Sequence, residues 1–81
     1  MMPPLKKFKR LDVRALLQNG LDPCSPIFER VDKLTADEGL LIIAPFLPSP
    51  LIERLRAQGF ASKVERGKGT DWLVYFWREA A

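Results

Sequence analysis

The chain contains no histidine, so the side chain most used as a general acid–base near neutrality and as a metal ligand is missing from its chemistry. A single cysteine, Cys24, excludes an internal disulfide framework and any cysteine cluster for zinc. The acids Asp12, Asp22, Asp32, Asp37 and Glu38 lack metal-loop spacing. The longest apolar run, Leu40 to Ala44, is far too short to cross a bilayer, and the start Met1-Met2-Pro3-Pro4 lacks the apolar stretch of a signal peptide. There is no phosphate-binding glycine loop and no nucleophile elbow, because Gly67-Lys68-Gly69 reads as a hairpin turn. What is left is a cytoplasmic protein without a catalytic constellation, for which no cofactor is expected.

Its 81 residues make one domain, with 47% apolar and 28% charged residues, ordinary globular values. Residues 1–7 read as a flexible N-terminus and residues 8–81 as the domain. The net charge of +3 collects in Lys6-Lys7-Phe8-Lys9-Arg10 and between Lys63 and Lys68. Two modest basic patches give a weak, salt-sensitive attraction to phosphates. They read as solvated surface, so neither nucleic acid nor a membrane is an expected partner.

Phe8 to Val13 alternates as a strand does, with Leu11 and Val13 on one face. Arg14 to Gly20 reads as a short helical turn, ended by Asn19-Gly20. A main helix is expected from Ser25-Pro26, where serine suits the N-cap and proline has no N–H to waste. Within it Ile27, Val31 and Leu34 form a core-facing stripe. Asp37-Glu38-Gly39 then turns into a strand, Leu40 to Ala44, apolar on successive residues as if covered on both sides. A second helix begins with the same device at Ser49-Pro50 and closes at Gly59.

Phe60 to Glu65 and Trp72 to Arg78 form a hairpin. In its second strand Trp72, Val74 and Phe76 alternate with Leu73, Tyr75 and Trp77. One set can fill a core beneath the helices; the other has no evident cover in a two-layer domain. The fold class is therefore an α/β, two-layer sandwich in the order β-α-β-α-β-β. It has a four-stranded mixed sheet, its first two strands parallel through a right-handed crossover, and both main helices on one face.

Leu11-Asp12-Val13-Arg14, Asp22-Pro23, Ala44-Pro45-Phe46, Pro48, Pro50-Leu51, Gly59-Phe60 and Asp71-Trp72 stand in this order along the chain. Together they resemble an uncharacterised branch of the SirA/TusA-like superfamily, of the DUF2249 type, over about residues 11–78. The resemblance implies the same two-layer sandwich. Sulfur carriers of that superfamily have a Cys-Pro-x-Pro motif at the start of the first helix, whose cysteine carries a persulfide. The stretch here is Pro23-Cys24-Ser25-Pro26, with Cys24 displaced by one position, so the carrier role does not transfer residue for residue.

Three sets of candidate residues follow. Cys24, at the mouth of the first main helix, would have its thiolate favoured by the positive helix end, as a sulfur-carrier or redox thiol would need; a lone cysteine also serves as a small buried hydrophobe. Ser25 and Ser49, with the N–H groups beside them, are anion-binding candidates; the Pro45 to Pro50 loop that delivers Ser49 reads first as a helix entry shaped by its prolines. Leu73, Tyr75 and Trp77 are interface candidates on an open sheet face, which a protein partner or a second copy would cover. The expected function is that of a small non-catalytic interaction module. Sulfur carriage or redox chemistry on Cys24 is the alternative, and weak nucleic-acid binding the second.

Overall fold

A computed structural model describes residues 2–79, so residues 80 and 81 of the expected domain lie outside the described residues. After a single 3-10 turn, Leu5–Lys7, the elements are β1 (Phe8–Asp12), α1 (Arg14–Gln18), α2 (Cys24–Asp32), β2 (Gly39–Ala44), α3 (Ser49–Ala57), β3 (Phe60–Arg66) and β4 (Trp72–Arg78). The sheet order is β1-β2-β4-β3, with β1 parallel to β2 and β4 antiparallel to both of its neighbours. This is the small mixed α/β sandwich that the sequence predicts. β1, β2 and β3 therefore run the same way, and α2 and α3 each carry the chain back. Both main helices consequently start at one end of the sheet, the C-terminal end of β1 and β2. Gly59 (φ +93) turns the chain from α3 into β3 through a conformation that side chains other than glycine rarely adopt.

One core holds the layers together. Ile27, Val31 and Leu34 from α2 and the residues after it, with Leu51, Ile52 and Leu55 of α3, pack on Leu40, Ile42, Ala44, Val74 and Phe76 of the sheet. Because both helices contribute to this one cluster, they share a face. Among the described residues, no helix is long and apolar enough to cross a membrane.

The opposite face departs from expectation. Tyr75 and Trp77 are each only 7% exposed and Leu73 is half-buried, so the open aromatic patch is corrected to a covered one. The cover is Phe8, whose ring stands edge-on to Tyr75 (centroids 5.2 Å apart) and to Trp77 (6.3 Å). Gly39 makes this possible. It pairs with Phe8 on one side and Trp77 on the other. A side chain there would collide with the Phe8 ring and come within 2.8 Å of the Phe76 carbonyl oxygen. The ring of β1 thus lies over a glycine of β2 and reaches the aromatics of β4, the aromatic rescue of a strand glycine. Burial pushes the Tyr75 phenol up from its ordinary pKa, and the adjoining Glu65 carboxylate adds to the shift.

The helix starts are corrected too. α2 begins at Cys24, not at a Ser25 cap, and α3 begins at Ser49 itself; neither has a side-chain hydrogen bond from its N-cap residue, Pro23 or Pro48. Pro26 and Pro50 fall inside the first turn, where residues have no intrahelical N–H partner to lose. The first helical bonds run from Ile27 N–H to the Pro23 carbonyl (3.2 Å) and from Ile52 N–H to the Pro48 carbonyl (3.1 Å). The serines are therefore helical residues, and their preference for the cap gives way to proline's tolerance of the first turn.

Candidate functional site

The end of the sheet at which α2 and α3 start gathers most of the candidate residues. Cys24, the first residue of α2, is half-buried, and its N–H donates to Asp22 Oδ1 at 3.0 Å. Asp22 thus satisfies a first-turn N–H of α2, the task expected of Ser25. The backbone hydrogen bond to Cys24 holds the Asp22 carboxyl below the usual range. From α3, Arg54 Nη1 lies 3.7 Å from Cys24 Sγ while its guanidinium sits over the Phe28 ring at 5.3 Å, tying the two helices together.

The electrostatics of Cys24 run against the expectation from the helix end. Burial pushes its thiol pKa up, and the Asp22 carboxylate pushes further; Arg54 acts the other way with a smaller effect. Burial and Asp22 thus oppose the thiolate that a carrier or redox cysteine would use. Ser25 and Ser49 are exposed at the same end of the sheet as Cys24.

Two further features belong to this end. The first is apolar. Leu21 in the loop before α2, and Phe46 and Leu47 in the loop before α3, are 55%, 53% and 39% exposed, three of the five large exposed hydrophobic residues among those described. Pro45 and Pro48 restrict the second loop, and Pro50 the first turn of α3 that follows it. The signal was present in Pro45-Phe46-Leu47-Pro48, where a phenylalanine and a leucine stand between prolines in a stretch that must run over the surface.

The second feature is ionic. Arg14 donates through Nε and Nη2 to Asp12 (2.9 and 2.6 Å) and through Nη1 to Asp71 Oδ2 (2.7 Å). This clamp joins the β1–α1 junction to the β3–β4 hairpin, and the Arg14 hydrogen bonds hold the Asp12 carboxyl low. Beside it, Arg10, Arg66, Lys68, Ile43 and Leu73 line part of a groove of about 590 Å³, where the two basic stretches of the sequence meet. Much of that charge is occupied: Arg14 is paired with two carboxylates, and Arg66 lies over the Trp72 ring at 4.6 Å. No group of side chains among the described residues could hold a metal ion.

No curated protein and no solved structure matches the chain. A family profile does, over residues 10–78, from the first strand through the clamp and both helix starts to the end of β4. By that match the chain belongs to the family of uncharacterized conserved proteins DUF2249.

Proposed function

We propose that the protein is a non-catalytic interaction module of SirA/TusA-like architecture, which docks on a protein partner through the end of the sheet where its main helices start. One observation carries this reading: Leu21, Phe46 and Leu47 expose apolar side chains on two loops at that end, one of them restricted by proline, while the aromatics of the opposite sheet face are covered within the chain. Rigid, exposed aromatic and aliphatic side chains anchor interfaces at low entropic cost. A photo-crosslinking residue placed at position 46 in the cell of origin should give one discrete adduct, lost when Leu47 is changed to Asp, while the same residue at position 36, exposed at the other end of the sheet, gives none. Labelling at 46 no stronger than at 36 contradicts the reading.

Sulfur carriage on Cys24 is a second reading. It draws on the partial exposure of that thiol and the Arg54 guanidinium 3.7 Å away, which would favour an anionic persulfide. Incubation with a cysteine desulfurase and cysteine should then add one transferable sulfur atom to the intact mass, absent in Cys24→Ser. An unchanged mass removes this reading.

A further inference from the structure

β3 is an edge strand, and its sequence Ser62-Lys63-Val64-Glu65-Arg66 is complementary to itself about Val64. We infer that two copies of the chain associate through antiparallel pairing of β3 with β3 about a two-fold axis at Val64, joining the sheets into eight strands. In an antiparallel pair related by a two-fold, the axis must pass through a residue position, because side chains alternate between faces. With Val64 on the axis, Lys63 lies opposite Glu65 of the second copy and Glu65 opposite its Lys63. The Lys63–Glu65 ion pair already present within the strand (3.5 Å) becomes an alternating ring of four charges. On the helix side Val64, which is 39% exposed, meets its own counterpart and leaves water.

Neighbouring registers are excluded by the same arithmetic. Moving the axis one residue either way sets Lys63 against Lys63 or Glu65 against Glu65, like charges directly opposed. The other edge is less suited: centring β1 puts Arg10 against Arg10. Centring it on Leu11 would pair Arg10 with an Asp12 whose carboxylate is already taken by Arg14. Charges on an edge strand usually prevent pairing; at β3 they favour the register centred on Val64, the one that sets opposite charges against each other, and a second copy of this chain as partner.

Sedimentation velocity over a concentration series tests the inference. The full chain should show a concentration-dependent dimer that weakens with salt. Lys63→Glu and Glu65→Lys should each weaken it by about tenfold or more, and the double variant Lys63→Glu/Glu65→Lys, which restores opposite charges across the axis, should recover it. Both changes are on exposed side chains, and circular dichroism verifies the fold of each of the three variants. A chain that stays monomeric at millimolar concentration overturns the inference. So does a double variant no better than the singles, or a dimer lost on Phe46→Asp. Phe46 follows β2, which β4 separates from β3, so failure of the proposed partner site leaves this result unaffected.

Discussion

On the helix-covered face of the sheet, Ile42, Val74 and Phe76 are closed off by aliphatic side chains from two helices; on the other face, Tyr75 and Trp77 are shielded by the edge-on ring of Phe8. The first cover is built from many side chains at helical spacing. The second depends on one ring and on the missing side chain of Gly39. The comparison teaches that a two-layer domain can close its bare face from within the sheet, provided an aromatic residue on one strand stands in register with a glycine on the next. Contacts with other molecules are then directed to the ends and edges of the sheet.

The contrast can be broken from either side. Phe76→Ala, in the helix-covered core, should cost about 3–5 kcal/mol by urea denaturation. Phe8→Ala should cost less, about 2 kcal/mol, because the ring is half-buried. It should also add binding of a hydrophobic dye that Phe76→Ala, if still folded, does not produce to the same degree. Gly39→Ala should destabilise by about 1–3 kcal/mol, since the new methyl group meets the backbone carbonyl of Phe76 as well as the Phe8 ring. Equal costs for Phe8→Ala and a surface substitution would mean that the second cover contributes nothing.

The two helix starts sharpen the comparison at smaller magnitude. Asp22→Ala should lower Tm by several degrees through loss of the bond to the Cys24 N–H. It should also move the alkylation midpoint of Cys24 to lower pH, because the carboxylate that opposes the thiolate is gone. Ser25→Ala and Ser49→Ala should change stability by less than about 0.5 kcal/mol, since neither serine occupies an N-cap position. Stability should also fall on acidification. Asp12, held low by Arg14, Asp22, held low by the Cys24 N–H, and Glu38, held low by the Thr35 N–H, have folded pKa values depressed below their unfolded ones. Their contribution is present above the ordinary carboxylate range and is lost as pH falls through it and below. Asp12 and Asp22 are exposed and Glu38 is half-buried, so the effect is modest, and it is read as Tm against pH.

The strand and helix pattern was legible because each element carries its own period: Ile27, Val31 and Leu34 at helical spacing, Trp72 to Trp77 alternating, Gly59 at a helix end. The cover over Tyr75 and Trp77 was not, since it needs the register of three strands at once, and pairing of Phe8 with Gly39 leaves no trace in local sequence. The helix starts were misplaced because Ser-Pro satisfies two rules. Serine prefers the cap and proline the first turn, and here proline's placement prevails, with Asp22 taking the backbone N–H. The exposed Phe46 and Leu47 stood in plain view between prolines, but they read as part of the lead into a helix and not as a surface.

Acrylamide quenching of Trp77 fluorescence in a Trp72→Phe background tests the closed sheet face most directly. Trp77 should be shielded while Phe8 is present and become readily quenched when Phe8→Ala is added. A Trp77 that is freely quenched with Phe8 in place would contradict the account.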